Sequence, residues 1–190
     1  MGIESVNEKE GDEKEPEKII VEIGCGESPF PLVGKRKLKK NETYIGIDID
    51  SKNVKNTRII LEECKKLTYV NKFKVFEGMG EKTELPENYV DEIILTNVAG
   101  YRDTALKFGG IAKETKRILK IGGLVYIIET NTPYEKPKEL IKFFENNGFV
   151  LQYFIKAEDG ESFKKEIEKY MLESMIANDS YLIKFIKVVE

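Results

Sequence analysis

The sequence predicts an α/β fold: a single-domain, three-layer sandwich around a seven-stranded, mostly parallel sheet. Three observations predict it. Short apolar runs alternate along the chain with segments of helical periodicity, the pattern of right-handed βαβ crossovers. The first run, Ile19-Ile20-Val21-Glu22-Ile23, is nearly continuous, as a strand buried on both faces must be. The length of 190 residues suits one domain with a full core.

Each element arises from local chemistry. Residues 1–17 are polar and charged, from Glu4 through Glu17, and read as a disordered acidic tail ahead of a domain spanning 18–190. The first strand ends at Gly24-Cys25-Gly26. Pro29 and Pro31 interrupt the next segment, so the first helix is expected to be short or irregular. The second strand is Tyr44 to Ile49. Asp50 or Ser51 then caps a helix on which Val54, Arg58, Leu61 and Cys64 recur at helical spacing. Strands three and four are Phe73–Phe76 and Glu92–Leu95. A helix from about Gly110 to Leu119 is closed by Ile121-Gly122-Gly123, and strand five runs from Leu124 to Ile128. Pro137 opens a helix through Asn146, Gly148 ends it, and strand six is Phe149–Ile155. A last helix from about Ser162 to Ile176 places Phe163, Ile167, Tyr170, Met171 and Ser174 on one face. Strand seven is Tyr181 to Val189.

Composition removes several classes of function. The chain has no histidine and two cysteines, Cys25 and Cys64, which argues against a disulfide framework, a Cys/His zinc site and the usual nucleophile–base pairs. The net charge of −3 gives no general attraction for phosphate backbones. No stretch approaches the roughly 20 apolar residues of a membrane span, and the acidic N-terminus does not read as a secretory signal, so a cytoplasmic protein is expected. Lys and Glu dominate the charged residues, with only four Arg, a bias associated with thermophile proteins.

In an open α/β sheet, ligands bind beyond the carboxyl ends of the strands. Three such ends carry unusual residues. At Glu22-Ile23-Gly24-Cys25-Gly26-Glu27, glycines allow a sharp turn and close backbone approach. A dinucleotide fingerprint needs a third glycine where Pro29 stands, and Glu27 is negative where a pyrophosphate would lie. A ligand carrying an ammonium and a sulfonium suits this loop better. At Gly46-Ile47-Asp48-Ile49-Asp50, Asp48 stands 22 residues after Gly26, at the end of strand two, where a carboxylate can accept ribose hydroxyls; Asp50 is assigned to the helix cap. At Phe76-Glu77-Gly78-Met79-Gly80-Glu81, the Met79 thioether can pack on a flat π system.

Together these segments resemble the class I (Rossmann-like) S-adenosylmethionine-dependent methyltransferase family. Glu22-Ile23-Gly24-Cys25-Gly26 looks like its first motif and Gly46-Ile47-Asp48-Ile49 like its second. Leu85-Pro86 through Val90-Asp91-Glu92-Ile93-Ile94 is similar to its lead-in to strand four, and Glu114 through Leu124 to its late helix-turn-strand motif. The resemblance implies that strand seven is antiparallel and inserted between strands five and six. It implies S-adenosyl-L-methionine as cofactor. Glu22, Gly24, Cys25 and Gly26 would surround the methionine part, Asp48 and Ile49 the ribose and adenine, Met79 and Gly80 the adenine, and Asn97 would lie near the sulfonium. Where the family has an acidic residue after strand three, this chain has Gly78-Met79-Gly80, so either Glu81 substitutes or that hydrogen bond to the adenine is absent.

The acceptor is not specified. Tyr101, in Thr96-Asn97-Val98-Ala99-Gly100-Tyr101, is a candidate to stack on an aromatic acceptor, though packing under its own loop is the commoner role. The basic run Lys35-Arg36-Lys37-Leu38-Lys39-Lys40 keeps RNA open as an acceptor; without interleaved aromatics it reads first as a solvated loop, and a small molecule is favoured. If the acceptor must lose a proton, Glu129, Asp103 and Tyr101 are candidate bases. The rival readings are a non-catalytic cofactor-binding module or partner subunit, and a dinucleotide oxidoreductase, which Glu27 and Pro29 disfavour.

Overall fold

A computed structural model describes residues 16–65, 72–98, 108–130 and 136–188, without the side chains of residues 65 and 108. The elements are β1 (Lys18–Ile23), α1 (Phe30–Val33), β2 (Glu42–Asp48), α2 (Ser51–Lys65), β3 (Phe73–Glu77), β4 (Val90–Thr96), α3 (Phe108–Ile118), β5 (Leu119–Glu129), α4 (Pro137–Glu145), β6 (Phe149–Lys156), α5 (Glu161–Ile167) and β7 (Tyr181–Lys187). Residues 1–15 of the expected tail lie outside the described residues, whereas Glu17 accepts hydrogen bonds from Thr43 and Lys72 beside the start of β1.

The seven strands form one sheet in the order β3-β2-β1-β4-β5-β7-β6. All adjacent pairs are parallel except those involving β7, which runs antiparallel to β5 and β6. Both the expected inversion and its place between strands five and six are present. Helices cover both faces. One core joins Val21, Ile23, Ile45 and Leu95 to α3 and α4. The other joins Ile20, Tyr44, Ile94 and Tyr126 to α1, α2 and α5. Alternate residues of β1 serve opposite cores, which is why Ile19 to Ile23 is apolar but for Glu22.

The prolines hold α1 to four residues, as expected. On α2 the buried stripe is Val54, Thr57 and Leu61; Arg58 lies outside it and reaches the Val75 carbonyl instead.

Two helix ends differ from expectation, each for a tertiary reason. The Gly122-Gly123 pair does not stop α3. That helix passes directly into β5, and the glycines sit in an irregularity of the β4–β5 pairing, with Gly122 at φ +77°. The last carbonyls of α3 are taken by Asn88 and Tyr89 amides and by the buried Lys187 ammonium, which donates to Lys116 O and Leu119 O at 2.7 Å each. The final helix stops at Ile167 rather than continuing to Ile176. Beyond it, the carbonyls of Glu168 and Lys169 accept the amides of Lys35 and Arg36. Gly34 permits that approach, since a Cβ there would lie 2.2 Å from Lys169 O. Phe163, Ile167, Tyr170 and Met171 are buried as expected, but Ser174 is exposed.

Candidate functional site

The carboxyl ends of β1, β2, β3 and β4 meet around the turn Gly24-Cys25-Gly26. Gly24 adopts φ +78° and Gly26 φ +53°. A Cβ on Gly24 would lie 2.7 Å from Thr96 O and from Val98 Cγ2, so only glycine lets the turn close on the end of β4. A Cβ on Gly26 would meet nothing within 4 Å, so that side of the turn faces open space.

Two buried carboxylates brace the turn. Glu22 accepts from the Phe30 amide at 3.0 Å, the Tyr44 hydroxyl at 2.8 Å and the Thr96 hydroxyl at 3.1 Å. It thereby serves as the cap that α1 otherwise lacks. Burial pushes the Glu22 carboxyl up to about 7, aided by the Asp48 charge and opposed by its three donors. Asp48 accepts from the Gly26 amide at 2.8 Å through Oδ2, and from the Asp50 amide at 2.9 Å and Asn53 Nδ2 at 3.2 Å through Oδ1. Asp50 caps α2 by accepting the Lys52 amide at 2.8 Å, as expected. Among the described residues, no ion pair includes Glu22 or Asp48.

Cys25 is buried against Tyr44 and Gly46; burial raises its thiol well above the ordinary value, which leaves it inert as a nucleophile. Ile49 and Met79, just past β2 and β3, are 67% and 45% exposed. Large apolar side chains so exposed at neighbouring strand ends offer two sides for a flat ring. Both line a groove of about 860 Å³ together with Ile45, Phe76, Leu85 and Tyr89. The β3–β4 connection beside it carries no helix. Gly80 packs on Ile23 and Ile111.

The loop from Met79 to Pro86 is tied to α3. Glu114 accepts from the Thr83 amide and hydroxyl and from Arg117. Burial pushes this carboxyl up, but the Arg117 and Thr83 hydrogen bonds outweigh it and hold it at about 2. The late motif around Glu114 thus anchors the loop that carries Met79.

Asn97 closes β4 with its side chain engaged by Thr130. Glu129 is fully buried at the end of β5. Tyr101 and Asp103 lie outside the described residues. Sequence reasoning missed Tyr44, Asn53, Thr96 and Thr130. Strand register could have flagged two of them, because Glu22 pairs with Gly46 and Ile94, which places Tyr44 and Thr96 on its face.

These residues fit S-adenosylmethionine. Two buried carboxylates that have no cationic partner among the described residues flank a turn whose glycine a Cβ would obstruct, and a cationic ligand would compensate charges that are costly to bury alone.

The family model described as "Methyltransferase domain" matches residues 14–184. No curated protein sequence matches the chain. Among solved structures, an S-adenosylmethionine-dependent methyltransferase from Methanosarcina mazei aligns with TM-score 0.66 and 16% identity, over 93% of this chain and 95% of that one. One from Aquifex aeolicus aligns at TM-score 0.61 and 16% identity, over 91% and 84%. Geranyl diphosphate C-methyltransferase from Streptomyces coelicolor A3(2), solved with Mg2+, geranyl diphosphate and S-adenosyl-L-homocysteine, aligns at TM-score 0.59 and 15% identity, over 91% and 74%. The shared fold and the family match across nearly the whole chain agree with the geometry of the turn, and the chain belongs to the methyltransferase domain family as a class I enzyme that uses S-adenosylmethionine.

Proposed function

We propose that this methyltransferase modifies a small molecule and holds its cofactor at Glu22, Gly24, Cys25, Gly26, Asp48, Ile49, Met79, Gly80 and Asn97. The observation that carries the site is the pair of buried carboxylates on either side of the glycine turn, neither of which has a cationic partner among the described residues. In this reading Glu22 supplies the counter-charge to the methionine end. Asp48 already takes three donors, so Oδ2 keeps one acceptor position for a ribose hydroxyl. Ile49 and Met79 flank the adenine. Asn97 borders the sulfonium through its backbone, since Thr130 occupies its carboxamide.

The bound cofactor supplies a methyl group on a positively charged sulfur, already activated for in-line displacement. The chain's own contribution is then alignment and exclusion of water, in agreement with the absence of histidine. The folded state of the basic run supports a small acceptor over RNA. Lys35 pairs with Glu168, Arg36 with Glu42 and Glu92, Lys37 donates to the Gly34 carbonyl, and Leu38 is buried.

Calorimetric titration with S-adenosylmethionine and with NAD tests the site. The methyl donor is expected to bind and NAD not to bind. Asp48→Ala should weaken donor binding by about tenfold or more, equivalent to about 1.4 kcal/mol. Unchanged affinity in that variant, or binding of NAD alone, refutes the assignment. A methylation screen of metabolites beside total RNA then decides the acceptor class.

A further inference from the structure

The dipeptide Thr96-Asn97 joins three strand ends. The Thr96 hydroxyl donates to Glu22 Oε1 at 3.1 Å, and its carbonyl lies 2.7 Å from where a Cβ on Gly24 would stand. Asn97 comes next, at φ +52°, a left-handed conformation that Asn tolerates better than most side-chain-bearing residues. Its amide donates to Ile128 O at 2.8 Å. Its side-chain Oδ1 accepts the Thr130 amide at 2.8 Å and sits 3.3 Å from the Thr130 hydroxyl, while Nδ2 lies 3.2 Å from that hydroxyl. The Thr130 amide can meet only an oxygen, which settles the orientation of the carboxamide. Thr130 is fully buried, and its carbonyl accepts the hydroxyl of Ser180 at 3.2 Å. The Ser180 backbone carbonyl in turn accepts the Ala157 amide at 2.9 Å. One line of contacts therefore runs from the glycine turn through the ends of β4 and β5 to the junction of β6 and β7.

We propose that Asn97 is a positioning residue. It sets the Thr96 carbonyl and Val98 against the Gly24–Gly26 turn and fixes the chain's exit from β4 relative to β5, so that cofactor and acceptor meet in line. This inference rests on the cofactor site proposed above. Both polar atoms of the Asn97 side chain are engaged by Thr130, so the carboxamide itself does not reach the ligand and the residue acts through the backbone of residues 96–98. A left-handed non-glycine residue persists only where its surroundings over-determine it, and here five contacts do so: the Thr96 anchor on Glu22, the amide to Ile128, and the three approaches to Thr130.

Two variants separate this role from simple support of the fold. Asn97→Gly keeps the left-handed backbone and deletes the clasp; Asn97→Asp keeps an oxygen for the Thr130 amide. In the cofactor-free protein, Asn97→Gly should speed amide hydrogen exchange at Thr130 by about tenfold while leaving Ile127 unchanged. By calorimetry well below the unfolding midpoint, Asn97→Gly should bind S-adenosylmethionine about tenfold more weakly, and Asn97→Asp within about threefold of wild type. Unaltered exchange at Thr130 overturns the proposal, as does wild-type affinity in Asn97→Gly whatever its melting point. If the wild-type protein fails to bind S-adenosylmethionine, the cofactor site falls and the positioning role falls with it. Binding by the wild type with no loss in the glycine variant removes the positioning role alone.

Discussion

Glu22 holds a carboxyl where ionisation is costly. Its folded value of about 7 stands above the ordinary 4.5, because burial and Asp48 outweigh its three donors. A raised carboxyl contributes stability in full below about 4.5, and that contribution is lost as pH rises through about 7. Unfolding in urea should therefore show cofactor-free Glu22→Gln gaining on wild type between pH 4.5 and 7.5, by at most about 2–3 kcal/mol. Gln still offers an oxygen to the Phe30 amide and the Tyr44 hydroxyl, which share Oε2 of Glu22, while the Thr96 hydroxyl can turn to accept from the new amide. The same variant should bind S-adenosylmethionine more weakly, and wild-type affinity should rise with pH across that interval as the counter-charge forms. A flat affinity profile would show that Glu22 does not meet the cation. Glu22, Gly24 and Asp48 were legible in the sequence because each stands where an apolar run gives way to a turn. Tyr44 and Thr130 were not, since nothing local distinguishes a strand tyrosine that meets a carboxylate from one that only packs.

At the scale of elements, the junction of α3 and β5 depends on a residue from the far end of the chain. Lys187, on β7, is 3% exposed and donates to Asn88 Oδ1 at 3.0 Å and to Lys116 O and Leu119 O at 2.7 Å. Lys187→Met should leave those acceptors buried without their donor and lower stability by about 2–4 kcal/mol. The urea midpoint should fall with the slope unchanged; a midpoint within error of wild type would mean that other groups satisfy the carbonyls. This junction also shows where sequence reading stops. A glycine pair after a helix is a sound local stop signal, yet the actual stop is an ammonium recruited across the sheet. The early end of α5 has the same origin, for the carbonyls just beyond it are claimed by Lys35 and Arg36. The central strands were legible because their burial on both faces demands apolar runs, whereas helix ends were set by partners distant in sequence.

For the whole molecule, the two cores share one sheet, so cofactor binding at the strand ends should be felt as global stability. At a hundredfold excess over its dissociation constant, S-adenosylmethionine should stabilise the fold by about 2.7 kcal/mol, read as a higher melting midpoint that NAD does not reproduce. An unshifted midpoint at that excess would place the site outside the cooperative unit. Phe30 ties the turn to the C-terminal third of the chain. Its ring packs edge-on to Tyr44 and Tyr170, at centroid distances of 5.5 and 6.0 Å, while its amide is held by Glu22. The buried Glu22 carboxyl is thus wedged in place by a ring that leans on a tyrosine more than a hundred residues downstream. If Glu22 meets the donor as proposed, a substitution at Tyr170 should change donor affinity while leaving the residues of the glycine turn as they are, and calorimetry on Tyr170→Leu beside wild type checks it.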